Sequence, residues 1–264
     1  MSDLERVRRC LREAPRREVG GKWYFRKVDK EEETTDSFDR IKLLFKRFPR
    51  FYYFLIDVVS PVYGDRAPLR RFRAAAEGVI LNIGSGNQPR RLDTVNVDMM
   101  DYENVDIVCD IHSLPFADNS IDAVVSIAVL EHVREPRQVL AEGHRVLKPG
   151  GYVFSVIPFM QPFHASPHDY QRYTLPGIEY LHRDFQRVES GVYSGPVSGA
   201  LWVMQECLAS IFSFGNPVLR HLLTIGLMLV SWPVKFLDFF FMRLPTAQNI
   251  ASTFYVAGRK PAGG

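Results

Sequence analysis

A chain of 264 residues with 46% hydrophobic and 24% charged residues can bury a sizeable core and lacks the composition of a disordered polymer. A formal net charge of +3 is too small to argue for nucleic acid, and no such partner is expected. Cys10, Cys109 and Cys207 lie far apart, with no CxxC pair and no metal-ligand spacing, so a reducing compartment and no metal are expected.

The first 20 residues are rich in Arg and Glu and carry no apolar stretch; they read as a charged helix or a frayed terminus, not a secretory signal. Residues 21–40 are polar, and the run Glu31, Glu32, Glu33 reads as solvated surface. From Ile41 to Val62 apolar and aromatic residues mix with Lys42, Lys46, Arg47 and Arg50, a helix-spaced stripe suited to packing on a larger domain, with Pro49 starting or kinking a helix. Residues 1–77 are therefore expected to form an N-terminal helical extension.

From residue 78 onward short apolar runs alternate with helical patterns. Gly78–Ile83, Thr94–Asp98, Asp106–Cys109 and Ile121–Ala128 read as buried strands. Glu135–Leu147 reads as a helix with Pro136 in its first turn and Pro149-Gly150-Gly151 after its end. Tyr152–Ile157 is a fifth strand. Thr174 caps a helix over 175–184, and Phe185–Tyr193 and Ala251–Arg259 give two more strands. Alternating βα units predict an α/β fold, a doubly wound, mostly parallel Rossmann-like sheet over 78–264.

The sharpest feature is Val79-Ile80-Leu81-Asn82-Ile83-Gly84-Ser85-Gly86-Asn87, a strand running into a Gly-X-Gly turn. Glycines there let backbone approach a ligand at the carboxyl end of a sheet, although a plain strand-to-loop turn has the same sequence. Asp98 ends the second strand, where a carboxylate can accept hydrogen bonds from two ribose hydroxyls. Asp110 ends the third, followed by Ile111-His112-Ser113-Leu114-Pro115-Phe116, a polar group beside apolar ones that suits an adenine. Then come Asp118 to Ser126, Val129-Leu130-Glu131-His132-Val133 and Leu147-Lys148-Pro149-Gly150-Gly151.

This ordered series resembles the class I S-adenosylmethionine (SAM)-dependent methyltransferases, in particular their small-molecule branch related to ubiquinone methyltransferases, over about residues 78–160. The resemblance implies SAM as cofactor. It implies that Gly84, Ser85 and Gly86 line the methionine part, that Asp98, with Met99 beside it, holds the ribose, and that Asp110 and Ile111 bind adenine. Ala128 and Val129 would lie beneath the sulfonium, with His132 nearby. Asn82 stands where that family usually has an acidic residue, and Gln88 where it often has a third glycine. The first crossover, residues 84–93, is short for a βαβ connection.

A second constellation, Pro158 to Thr174, follows the fifth strand and resembles a loop of bacterial methyltransferases linked to glycan or lipid pathways. Its His164 or His168 could serve as general base for a hydroxyl nucleophile, with Asp169 close by; a polar loop whose histidines bind only backbone or water is the competing reading.

Residues 197–242 form an apolar insertion before the last strand, charged only at Glu206, Arg220, Lys235 and Asp238. The uncharged stretch Leu222–Val234 is short of the roughly 20 apolar residues that span a bilayer. Trp202, Trp232, Phe236, Phe239 and Phe240 near Arg220, Lys235 and Arg243 suit an interfacial helix or shallow hairpin; a lid or a homodimer interface is the other fit. The expectation is a cytoplasmic enzyme, peripheral at the inner face of the membrane. It would move a methyl group to oxygen on a small or amphiphilic acceptor such as a lipid-linked sugar or quinone-like molecule. A SAM-binding accessory protein without catalysis and a membrane-associated scaffold are the alternatives.

Overall fold

The computed structural model describes residues 3–27, 58–87, 93–165 and 167–263. The acidic run at 31–33, Gln88 and nearly all of the aromatic-basic segment 41–62 lie outside the described residues, as does the middle of the first crossover.

After a short helix α1 (Asp3–Arg8) come strands β1 (Arg17–Val19) and β2 (Lys22–Tyr24), then α2 (Ala67–Ala75). The alternation follows: β3 (Ile80–Ile83), β4 (Val95–Asp98), β5 (Ile107–Val108), β6 (Ile121–Ile127), α3 (Pro136–Val146), β7 (Leu147–Pro158), α4 (Leu175–Leu181) and β8 (Gln186–Ser194). Helices α5 (Pro196–Phe212) and α6 (Pro217–Ser231), a 3-10 turn at Trp232–Leu237 and α7 (Asp238–Phe241) precede the last strand, β9 (Thr253–Arg259).

The described strands form one sheet in the order β1-β2-β5-β4-β3-β6-β7-β9-β8. From β5 to β7 every pairing is parallel, and β9 runs antiparallel between β7 and β8. Apart from β9, the six strands from β3 on stand in the Rossmann order, third-second-first-fourth-fifth-sixth. Chain direction across the sheet therefore reverses between β3 and β6, and a crevice opens there at the strands' carboxyl ends.

The N-terminal segment departs from expectation. Part of the extension is a hairpin, not helix: Val19 pairs with Lys22 across Gly20-Gly21, and β2 adds to the sheet by parallel pairing with β5. Apolar neighbours justify it, since Trp23 and Tyr24 are buried beside Val105, Ile107 and Val108.

Successive strand residues face opposite sides, and both sides are covered, which is why the strands read as unbroken apolar runs. One side gathers Leu81, Ile83, Val97 and Val124 under Val139 and Leu140 of α3 and Ile178 of α4. The other gathers Ile80, Val125, Phe154 and Tyr255 under Leu69 and Phe72 of α2. Burying each such side chain contributes roughly 1.5–3 kcal/mol. Behind α4, His182 is buried, with Nδ1 on the Ile178 carbonyl and Nε2 2.8 Å from Ser155 Oγ; burial depresses its pKa to about 4.

The insertion is a helical hairpin. Asn216 caps α6 by accepting from the Val218 and Leu219 N–H groups, and Gln205–Ser231 (2.7 Å) and Glu206–Arg220 (2.9 Å) tie α6 to α5. The run Pro217–Phe241 is long and apolar enough to cross a membrane by length and composition. Its second half is nevertheless locked to protein. Lys235, buried, donates to the Val58 and Ser60 carbonyls at 2.8 Å, and Asp238, fully buried, accepts from Val197 and Ser198 N–H at the start of α5. The continuous α-helix α6 has 15 residues, about 22 Å, against the roughly 30 Å of a bilayer's hydrocarbon core.

Candidate functional site

The crevice is lined first by the turn after β3. Gly84 has φ 63° and Gly86 φ 61°, left-handed values that only glycine adopts without cost. A Cβ on Gly84 would lie 2.5 Å from Val129 Cγ1, so the turn after β3 presses directly on the segment after β6. Among the described residues, nothing lies within 4 Å of where a Cβ on Gly86 would stand.

Asp98 ends β4 and braces this turn. Its Oδ2 accepts from Gly86 N–H and its Oδ1 from Met100 N–H, at 2.8 and 2.9 Å. Burial raises its pKa, opposed by those backbone donors. Asn104 donates to the Gly86 carbonyl, and Asn96 to that of Asn104. Asn82 joins the same ladder, its Nδ2 donating to Asn96 Oδ1 at 3.1 Å, so it helps to hold β3 to β4. Met99, next to Asp98, is exposed.

Asp110, beyond β5, keeps an exposed carboxylate; Ile111 beside it is buried. Partial burial works against ionisation of Asp110, but the backbone and ring donors of His112 prevail and lower its pKa. Carboxylates thus stand at the ends of β4 and β5, next to a glycine turn at β3 with an unpartnered buried hydroxyl, Ser85 Oγ.

At β6 the chain turns through Ala128, whose φ of 55° is left-handed and costs about 1–2 kcal/mol in a residue with a Cβ. Its N–H donates to the Val156 carbonyl at 2.9 Å. Val129 follows against Gly84. Next, Glu131 is fully buried, and neither carboxylate oxygen has a hydrogen-bond partner among the described residues. His132 Nε2 and His164 Nε2 stand 3.7 and 3.8 Å from Glu131 Oε1.

The loop after β7 is laced over this turn. Tyr170 N–H donates to the Glu131 carbonyl, Gln171 Nε2 to that of Val133, and His132 Nδ1 lies 2.6 Å from the His168 carbonyl oxygen. Asp169 pairs with Arg172 and accepts from His164 N–H at 2.8 Å; Arg172 holds its pKa down to about 2. Arg172 also donates to the Pro162 and Gln161 carbonyls. Burial acts against charge on the His164 ring, while Glu131 and the Pro162 carbonyl raise its pKa on balance. Trp202, from α5, covers that ring at 5.4 Å between centroids.

Of the sequence-predicted residues, Gly84, Ser85, Gly86, Asp98 and Met99 share one edge of the crevice, with Asp110 and Ile111 beyond them. Ala128, Val129 and His132 form the opposite edge, with His164. His168 points elsewhere: it is exposed, its ring packs on Tyr170, and only its backbone carbonyl serves the site. Asp169 acts through Arg172 and the loop backbone. Sequence reasoning quoted Glu131 and the loop holding Arg172 without giving either residue a role, and assigned Trp202 to an interfacial segment. The adjacency of Glu131 and His132 was the available sign for the first, and the spacing Asp169–Arg172 for the second.

A doubly wound sheet with glycine and carboxylate groups at its switch point defines a Rossmann-like α/β domain with a nucleotide-type cleft. Residues 88–155 match the methyltransferase domain family. A demethylmenaquinone methyltransferase of Renibacterium salmoninarum is 42% identical over 146 residues, 49% of this chain and 57% of that protein. A ubiquinone/menaquinone biosynthesis C-methyltransferase of Desulfotalea psychrophila is 54% identical over 44 residues, 17% of this chain and 18% of that protein. These alignments span less than two thirds of either relative. Among solved structures, Haemonchus contortus phosphoethanolamine N-methyltransferase 2 in complex with SAM has a TM-score of 0.45 at 19% identity, covering 73% of this chain and 51% of that one. Residues 88–155 thus match a methyltransferase domain, in a chain similar to SAM-dependent methyltransferases.

Proposed function

We propose that this protein transfers a methyl group from SAM to a hydroxyl oxygen of an amphiphilic acceptor at a membrane surface. The observation that carries the reading is the meeting, at one switch point, of a nucleotide-type half (Gly84 to Gly86, Asp98, Asp110) and a polar half (Glu131, His132, His164). SAM supplies an electrophilic methyl group. Asp98 would orient the ribose, Asp110 and Ile111 the adenine, and the backbone at Gly84 to Gly86 the methionine end, with Ala128 and Val129 below it. Glu131, His132 and His164 lie where the acceptor oxygen must lose its proton, and the protein's main contribution is to align acceptor and methyl group.

The insertion supports an amphiphilic acceptor. Trp202 brings α5 over the polar half, while the outer face of the hairpin exposes Phe212, Phe214, Leu222, Val230 and Phe240. Phe214 is 88% and Val230 82% exposed. So large an apolar patch suits a lipid interface, and the buried Lys235 and Asp238 favour lying on it over crossing it. The quinone-pathway relatives favour a second reading, a ring carbon as the atom methylated; deprotonating a neighbouring hydroxyl at the same cluster would activate it. Product analysis separates an ether from a C-methyl product.

Calorimetric titration tests the cofactor half. S-adenosylhomocysteine (SAH) should bind, and Asp98→Ala should cost about 1–3 kcal/mol, roughly 5- to 150-fold in affinity. Unchanged affinity would remove the ribose assignment.

A further inference from the structure

Three side chains able to bind a metal ion face one another beyond β6. His132 Nδ1 is 2.6 Å from the His168 carbonyl oxygen, and His164 Nδ1 is 2.9 Å from that of Pro162. A carbonyl only accepts, so each Nδ1 carries a proton and each ring turns its Nε2 inward. Arg172 Nη2, 3.3 Å from His164 Nδ1, directs its hydrogens to Pro162 and Asp169 at 2.9 and 2.7 Å. Both Nε2 atoms face Glu131 Oε1, at distances too long for a hydrogen bond. Glu131 itself is fully buried with both oxygens unpartnered among the described residues, an expensive arrangement for a carboxylate.

We propose that Glu131, His132 and His164 form a binding site for a divalent first-row transition-metal ion. Their ligand atoms all lie within 4.8 Å of one another. Ligands bound at about 2.0–2.1 Å around one ion stand roughly 3.3 Å apart, so closing onto an ion needs movements of up to roughly 0.7 Å per ligand atom. Two imidazoles and one carboxylate suit zinc, cobalt, manganese or iron(II), and suit magnesium or calcium poorly, because those take oxygen ligands. The second contact of each ring is the type that fixes metal-binding histidines: Nδ1–H on a backbone carbonyl. His164 is held further by its own N–H on Asp169, which Arg172 clamps.

Three protein ligands leave coordination positions for water or an acceptor. This catalytic use rests on the methyl-transfer reading above; ion binding does not. The acceptor hydroxyl would coordinate, release its proton to solvent, and use its oxygen lone pair to form the new O–C bond as the C–S bond of SAM breaks. That electron pair remains on sulfur, giving SAH. An ion at this place does the work otherwise asked of a histidine base.

The experiment uses the full chain, stripped with a chelator and titrated with Co²⁺ and separately Zn²⁺, without acceptor. One ion per chain is expected, with Co²⁺ giving visible d–d absorption and quenching tryptophan fluorescence. Trp202→Phe should remove most of that quenching, because Trp202 alone among the tryptophans is placed on His164. Glu131→Gln and His164→Ala should each weaken binding on the order of 100-fold, with SAH affinity within a few-fold of the parent. Absence of Co²⁺ and Zn²⁺ binding by a stripped protein that still binds SAH overturns the proposal. So does binding that is unchanged in both variants, or quenching that survives in Trp202→Phe. Failure to bind SAH would instead count against the methyltransferase reading and leave the metal result to stand by itself.

Discussion

The two glycines after β3 should respond differently to the same substitution. Both have φ near +60°, so an alanine at either position costs about 1–2 kcal/mol of backbone strain. Reduced freedom of the unfolded chain returns about 0.4–1 kcal/mol at each. The difference lies in the space. At position 84 the new Cβ would be 2.5 and 2.6 Å from the two methyl carbons of Val129, on a segment already held in a left-handed turn at Ala128. Overpacking of that kind adds about 1–3 kcal/mol. At position 86 nothing among the described residues lies within 4 Å of the new methyl group. Gly84→Ala should therefore lose about 1–3 kcal/mol more stability than Gly86→Ala in urea unfolding. Gly86→Ala should stay near parental stability yet bind SAH about 10-fold or more weakly, a loss of at least 1.4 kcal/mol. Parental SAH affinity in Gly86→Ala would show that the ligand does not lie over this turn, and equal stabilities would refute the packing argument.

Acid stability should carry the mark of His182. Its folded pKa is about 4, against about 6.5 unfolded, so the unfolded chain binds the proton first. The group makes no difference above pH 6.5 and destabilises by about 3 kcal/mol in total as pH falls from 6.5 to 4. His182→Gln should flatten that part of the stability profile measured by denaturant titration; an unchanged slope contradicts the buried neutral imidazole. The parent protein should float with anionic liposomes, and replacing Trp232, Phe236, Phe239 and Phe240 with Ser should leave it in the soluble fraction. A detergent-free, well-behaved dimer that ignores liposomes at low salt would make the insertion a protein interface.

Much of the central sheet was legible because strands buried on both faces leave apolar runs, as at Ile121–Ile127 and Tyr152–Ile157. The places of Gly84, Gly86, Asp98 and Asp110 at strand ends were legible for a related reason: each stands where an apolar run stops. The hairpin β1–β2 was less so. Its strands are short, and its outer residues Arg17, Glu18 and Val19 are exposed, although Gly20-Gly21 is a two-residue turn signal. Glu131 was hidden because its meaning depends on burial and on His164, which reaches it only through the pairing of β6 with β7. Lys235 and Asp238 were counted as interruptions of an apolar stretch. Tertiary contacts make them anchors instead, Asp238 holding α7 to the start of α5 and Lys235 holding the preceding turn to the Val58 and Ser60 carbonyls.

The most direct measurement separates the two halves of the site in one variant. Methyl-labelled SAM is supplied with lipid extract to the parent protein and to His164→Ala, while SAH affinity is measured in parallel. The account predicts a labelled, extractable amphiphilic product from the parent. It also predicts turnover reduced on the order of 100-fold or more in His164→Ala, with SAH affinity retained. Full turnover in that variant would contradict the placement of the acceptor's oxygen at Glu131, His132 and His164.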